Sequence, residues 1–506
     1  MTAAKRRALI AVGTLALCAV ALLALWLAGA LAPAWSVPEP SAQLLAAGDA
    51  LDRIEIDATY APEGREVNVV QRMTLTNRTG AALNSAVFRT WVNAFQSSEL
   101  SPAASEELFD LCYPDGFSSG ALQMNAATVA MANGAAESAQ YRYLDDAKTV
   151  LSLPLGKPWE SGETITAELR YKIIVPRARY RFAVNNGVCV LGNAFAIPAV
   201  YENGAWRTDE YAPVGDPFVS DCANYAVTMR VPEGMTCMGG GVPEVSQEGG
   251  EAVYRFQALA VRDFALVLGE GFTEARGMQN GVALLAYAQS GDKARELLGY
   301  MRQAIACYGE RYGAYLYPSY ACVALDFPLG GMEYPMLSLI SSGLSSQSGT
   351  TMEYVVAHET AHQWWYAAVG SDSVNQPWQD EALCEFSTLE YYESTHGRAA
   401  RDELEQTKVE YAMRATVAGS VSPGAPVTYF ESMSQYSLVV YDRGTALFCA
   451  LDKLLNGKLD AALSQYYRKY AFARATRQDF ETLVYDATGE DVAPLMLDYL
   501  DTKLAN

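Results

Sequence analysis

Histidine is the residue this chain nearly does without, with three in 506 positions. Positive charge is also scarce: the formal net charge is −21, and no basic patch of note follows Lys5-Arg6-Arg7. That balance argues against nucleic acid as a partner, because binding it requires cations to neutralise phosphates. The acidity suits an exposed, soluble domain and does not identify a substrate. Close cysteine pairs are missing as well. The nine cysteines include Cys18 and then Cys112, Cys189, Cys222, Cys237, Cys307, Cys322, Cys384 and Cys449, and no two stand at structural-zinc spacing. Spacing assigns no disulfide, and Cys384 is expected as a buried thiol. There is no internal repeat and no low-complexity segment.

Long apolar runs are absent except for one. Ala8 to Ala32 is almost unbroken, with Leu9, Ile10, Val12, Leu15, Leu17, Val20, Leu22, Leu23, Leu25, Trp26, Leu27 and Leu31. About twenty such residues span a bilayer, and the run exceeds a typical signal-peptide core. Lys5-Arg6-Arg7 should stay in the cytoplasm, which sends the remainder outside. The expectation is a cytoplasmic stub and single-pass anchor over 1–33, with membrane contact through residues 8–32. Cleavage at Ala32-Pro33-Ala34 would instead give a secreted product. A Pro/Ala/Ser-containing tether over 34–49 follows.

Beyond residue 50 apolar residues recur every second position. Ile54, Ile56, Ala58 and Tyr60 alternate with polar neighbours, as do Ile165, Ala167, Leu169, Tyr171 and Ile173, and Tyr225, Val227, Met229 and Val231. This period marks half-buried antiparallel strands. Val261 to Leu268 is expected as the last of them, and Asn77-Arg78-Thr79-Gly80, which also reads as a glycosylation sequon, as a turn. Residues 50–275 are therefore expected as a β-rich domain and 276–506 as a second, mainly helical one. Ser290 can cap a helix that buries Leu297, Met301, Ile305 and Tyr308. A short strand, Ala321–Leu325, leads into Gly330-Gly331-Met332-Glu333-Tyr334-Pro335. Thr476 and Asp479 form a capping box.

Two of the three histidines fall in Val355-Val356-Ala357-His358-Glu359-Thr360-Ala361-His362. Four residues of helix turn about 400°, so His358 and His362 leave one face a turn apart. Two imidazoles so placed can grip one zinc, with Glu359 as general base. A catalytic zinc wants a third protein ligand. Glu381, after eighteen intervening residues, is the candidate on a second helix opening near Pro377. Glu385, one turn later, either supports a ligand or faces solvent. His396 beside Gly397 is expected at a helix end with no ligand role.

These segments resemble the aminopeptidase N family of gluzincin metallopeptidases. His358-Glu359-x-x-His362 with Glu381 carries its zinc motif, and Gly330-Gly331-Met332-Glu333 is similar to its Gly-x-Met-Glu-Asn exopeptidase motif. Tyr441-Asp442-Arg443-Gly444 is similar to its Tyr-Glu-Lys-Gly segment, and Tyr312-Gly313-Ala314-Tyr315-Leu316-Tyr317-Pro318 to the run before the exopeptidase strand. The resemblance implies an α+β multidomain fold in which a saddle-like β-rich domain packs on a thermolysin-like, mainly helical one. It implies one Zn2+ per chain held by His358, His362 and Glu381, with Glu359 as base. Tyr441 would be the oxyanion donor, with Tyr436 a second candidate, and Glu333 the partner of a substrate's α-ammonium. Gly330, Gly331 and Met332 would present backbone to an extended peptide.

Departures are Tyr334 at the family's Asn, Asp380-Glu381-Ala382 for Asn-Glu-Gly, and no large helical C-terminal domain. The expected activity is removal of the N-terminal residue from peptides at the outer face of a membrane. The alternatives are a thermolysin-like endopeptidase and a non-catalytic tethered scaffold. First-residue preference and oligomeric state are not legible.

Overall fold

The structure is a computed structural model that describes residues 35–99, 106–131, 134–344, 351–417 and 419–502. The expected cytoplasmic stub and membrane-spanning run lie outside them. Among the described residues no helix is long and apolar enough to cross a membrane. Pro38–Asn506 forms one compact unit. Within the segment expected as a tether, Ala42–Asp49 instead form a helix capped by the Ser41 hydroxyl. Its Leu44 is buried, and Asn224 donates to its Gly48 carbonyl at 2.8 Å.

The alternating segments pair into an eight-stranded sheet. Its order is Glu244–Glu248, Glu251–Val261, Ala223–Pro232, Asp52–Ala61, Glu66–Thr76, Thr164–Ile174, Ala121–Ala130 and Glu137–Ser138. All neighbours are antiparallel except Asp52–Ala61, which runs parallel to Ala223–Pro232 with Asp52 opposite Ala223. The predicted inward residues, Ile54, Ile56, Ile165, Leu169, Val227 and Met229 among them, are buried. Asn77 is buried too, and its amide donates to the Ala81 and Trp159 carbonyls. The tetrapeptide it opens lies in the connection between Glu66–Thr76 and Leu83–Arg89, as expected of a turn.

The run Val261 to Leu268, expected as one strand, is two. Glu251–Val261 closes in the large sheet, and Leu266–Gly269 joins a separate four-stranded one. The interruption at Arg262-Asp263 has a physical reason. Arg262 is buried and donates to the carbonyls of Ser220, Tyr366 and Ala473 at 3.0, 2.7 and 2.5 Å, fastening the β-rich half to the helical half. Gly370 makes room: a Cβ there would lie 2.2 Å from the guanidinium carbon.

The second half starts with a five-stranded sheet, ordered Thr273–Gln279, Val282–Ala288, Ser319–Leu325, Leu337–Ser341 and Gly331–Tyr334. Helix Gly291–Arg311 crosses over between two parallel strands and buries Leu297, Met301, Ile305 and Tyr308 as expected. Ser290 stands at its N-cap position, but its hydroxyl makes no cap bond. Gly331–Tyr334 is an edge strand, so one of its sides carries no further strand. The Thr476–Asp479 capping box is formed.

Arg262→Met should fold but lose about 3 kcal/mol or more, since each buried carbonyl left without a donor costs about 1–3 kcal/mol. A drop in the denaturant midpoint at unchanged slope is the measurement.

Candidate metal centre

Helix Met352–Ala361 carries the two histidines. Thr351 caps it, accepting from the Tyr354 amide at 3.1 Å, and Tyr308 donates to its Ala357 carbonyl at 3.0 Å. The chain then widens into a π-turn over Gln363–Ala368, where Trp365 and Tyr366 leave helical angles. That kink turns the chain, and after the short helix Pro377–Gln379 it re-enters as helix Glu381–His396. Glu381 thus opens a helix that packs beside the histidines. Gly444 keeps the approach close on the far side, since a Cβ there would sit 2.6 Å from the Ala382 Cβ.

The structure brings the expected ligands together. The Nε2 atoms of His358 and His362 are 3.0 Å apart, and Glu381 Oε2 is 3.5 and 3.4 Å from them. All three residues are buried. Ligand atoms about 2.0–2.1 Å from a tetrahedral zinc sit roughly 3.3 Å from one another. The three separations scatter about that value, and Glu381 Oε2 has no protein hydrogen-bond partner. The donor set fits one zinc.

Electrostatics make the same point. Burial disfavours an imidazolium, yet Glu381 and Glu385 outweigh it and hold His358 above its usual range, at about 9. His362 is likewise raised against burial, by Cys384, Asp380 and Glu333. Burial would raise Glu381, but both imidazoles hold it down at about 2. So many buried carboxylates require positive charge among them, and protons supply it when no metal does.

A second layer orients the ligands. Asp380 Oδ1 lies 2.6 Å from His362 Nδ1, and Glu385 Oε1 lies 3.3 Å from His358 Nδ1. Carboxylates behind zinc-binding imidazoles fix the tautomer and aim the other nitrogen at the metal. Glu385, left open between support and solvent, is buried and supports. In the sequence Asp380 stands out only as a departure from Asn. Its signal is an acid immediately before a zinc-binding carboxylate.

The remaining predicted residues converge too. Glu359 is buried with Oε2 unpartnered, and burial pushes its carboxyl up to about 7 in spite of the adjacent imidazoles. It rests on Gly331, where a Cβ would lie 2.1 Å from Glu359 Oε1, so only glycine leaves the carboxylate its place. Glu333 offers an oxygen in the same pocket, within 4.8 Å of ligand atoms of Glu359 and His362. Met332 is buried, and Gly330 turns into the strand at φ +88°. The edge strand is clamped to the histidine segment by Gln363, which donates to the Tyr334 carbonyl at 3.1 Å and accepts from the Met336 amide at 2.9 Å.

Tyr441 stacks on His358 with ring centroids 5.6 Å apart and lies near Glu381, while Tyr436 meets Tyr441 edge-on. Tyr334 points away from the centre: its hydroxyl donates to Asn193 Oδ1 at 3.4 Å and fills the notch left by Gly192. His396 bonds Glu353 at the end of its helix. Sequence reasoning missed Asp216, whose charge raises both Glu333 and Glu359 and which pairs with buried Arg181. Nothing in its Gly-Asp-Pro context marks it. The eight cysteines among the described residues, Cys384 included, are buried and free.

Zinc loading at pH 7 is expected to release about two protons, one from each imidazole, because ligands bind deprotonated. Calorimetry in buffers of different ionisation enthalpy counts them.

Comparison with known proteins agrees with this centre. The Peptidase family M1 domain matches residues 297–499. Leukotriene A-4 hydrolase of Xenopus laevis is 26% identical over 204 residues, 38% of this chain and 32% of that protein. Glutamyl aminopeptidase of Mus musculus is 27% identical over 239 residues, 44% of this chain and 25% of that one. The chain spans about a quarter to a third of the length of these curated relatives. An M1 zinc metallopeptidase from Deinococcus radiodurans superposes with a TM-score of 0.63 at 16% identity, covering 90% of this chain and 94% of that one. A point mutant of that metallopeptidase has been solved with a Tyr-Ser-Ala substrate bound. The family model thus matches the segment that carries the metal centre, and the fold is shared across nine-tenths of the chain with an M1 zinc metallopeptidase.

Proposed function

We propose that the chain is a zinc-dependent aminopeptidase that removes the first residue from peptides with a free amino terminus. The observation that carries this reading is Glu333, a buried carboxylate sharing one pocket with Glu359 and the zinc-binding His362. Burial and the charges of Asp216, Glu359 and Glu381 push its carboxyl well above the usual range, against the pull of His362. An incoming ammonium supplies the missing counter-charge through a charge-assisted hydrogen bond. That contact measures one residue from the peptide's end, which favours exopeptidase over endopeptidase cleavage. The free side of the edge strand Gly331–Tyr334 offers an extended peptide a place to lie.

Zinc, when bound, polarises the scissile carbonyl and makes an attacking water more acidic. The chain's own residues do the rest. Glu359 takes the water's proton and delivers it to the leaving amine. The Tyr441 hydroxyl, beside Glu381, turns to the developing oxyanion. Gly331 and Gln363 keep base and peptide strand in register.

We also propose that this activity faces outward from a membrane. The support is the apolar run 8–32 behind Lys5-Arg6-Arg7, with a secreted form if the chain is cut near Ala34.

Glu359→Gln should lower kcat by about 10²–10⁴-fold with zinc content unchanged, the range for losing a general base. Glu333→Ala should raise KM for free-amine substrates and shrink their advantage over N-acetylated ones by about 10–100-fold, as expected for one charged hydrogen bond. A panel of free and N-acetylated aminoacyl substrates, with zinc analysis alongside, reads both. Equal cleavage of blocked and free peptides by the wild type would favour the endopeptidase reading.

A further inference from the structure

One ammonium is shared by a carboxylate beside the first zinc-binding imidazole and a carboxylate next in sequence to the tyrosine assigned to the oxyanion. Lys408 lies on Glu405–Glu410, where its helix widens to a π-turn. Tyr441 lies on a second such turn, Ser437–Arg443. Single π-turns inside helices recur at functional positions because they re-aim a side chain.

The Lys408 Nζ donates to the Tyr354 hydroxyl at 2.6 Å and lies 4.4 Å from that ring's centroid. It is 3.3 Å from Glu385 Oε2 and 3.5 Å from Asp442 Oδ1. Tyr354 in turn donates to Glu385. The other Glu385 oxygen faces His358 Nδ1 at 3.3 Å. Asp442 directly follows Tyr441 in the chain. Glu385 and Asp442, the latter through an ion pair at Oδ1 without a hydrogen bond, are therefore two carboxylates that meet on a single cation. Without it they would repel in a poorly hydrated place, each free to draw its neighbour out of line.

We propose that Lys408 is a positioning residue: through Glu385 it sets the His358 imidazole toward the metal, and through Asp442 it holds the Tyr441 backbone against the same centre. One side chain thus aligns a zinc ligand and the oxyanion donor together. The Tyr441 arm rests on the aminopeptidase reading above, whereas the His358 arm depends only on the metal centre. Neither role is visible in sequence, because Lys408 is 50 residues from His358 and 33 from Tyr441 along the chain.

The test uses the zinc-loaded full chain and the variants Lys408→Met, Lys408→Arg and Asp442→Asn. Four quantities are read: the rate of zinc loss to excess chelator, kcat and KM on a free aminoacyl substrate, and the melting temperature of the metal-free protein. Lys408→Met is expected to lose zinc about 10–100-fold faster and to lower kcat by a similar factor, the usual consequence of disturbing a ligand's support. KM should stay put, and the fall in metal-free melting temperature that two unpaired carboxylates cause should be repaired by Lys408→Arg. Lys408→Arg, which keeps the charge, should recover most of both losses. Asp442→Asn should lower kcat and leave zinc loss unchanged, separating the two arms.

Lys408→Met behaving like the wild type in both zinc loss and kcat would overturn the proposal. So would a large fall in its metal-free melting temperature that Lys408→Arg does not repair, since that marks general packing. A wild type that cleaves no peptide, with Lys408→Met still shedding zinc faster, would sink the aminopeptidase reading and leave the His358 arm standing.

Discussion

Five carboxylates, Glu333, Glu359, Asp380, Glu381 and Glu385, are buried around two imidazoles. Such a cluster is tolerable only with cations among its members, because an unpaired buried charge is strongly disfavoured. Protons on His358 and His362 meet that need without metal; zinc meets it with a geometry that the ligand spacing already matches. The surrounding fold is the means of holding this charge set together. A kinked helix returns Glu381 to the histidines, and Asp380 and Glu385 steady the imidazoles from behind.

Close approach is the second requirement, and backbone departures provide it. Gly331 lets the Glu359 carboxylate lie on the edge strand, and Gly444 lets the Tyr441 segment reach the Glu381 helix. Three π-turns fall at Gln363–Ala368, Glu405–Glu410 and Ser437–Arg443, after His362, at Lys408 and at Tyr441. Gln363 ties the edge strand Gly331–Tyr334 to the histidine segment, so base and metal ligands are fixed against that strand.

What was legible in the sequence was local. Helical period places His358 and His362 on one face, and strand period marks Ile54 to Tyr60 or Ile165 to Ile173 as inward, because both depend only on near neighbours. What was hidden depends on contacts between distant segments: Asp216 against Arg181, Lys408 against Glu385 and Asp442. Other misses had faint signals. Arg262-Asp263, two charges inside an apolar run, mark the point where one expected strand becomes two. Ser41 before Ala-Gln-Leu-Leu is a cap signal within the segment expected as a tether, obscured by the prolines ahead of it.

The parallel pairing of Asp52–Ala61 with Ala223–Pro232 reaches past the peptidase chemistry. A strand made near the start of the unit waits for a mate synthesised some 170 residues later, as Asp52 opposite Ala223 requires. Until then the emerging chain exposes one edge of Asp52–Ala61, a surface open to wrong pairing and to chaperones. High contact order of this kind slows folding. The speed at which the ribosome delivers the stretch around Ala223 therefore governs how long that edge stays bare.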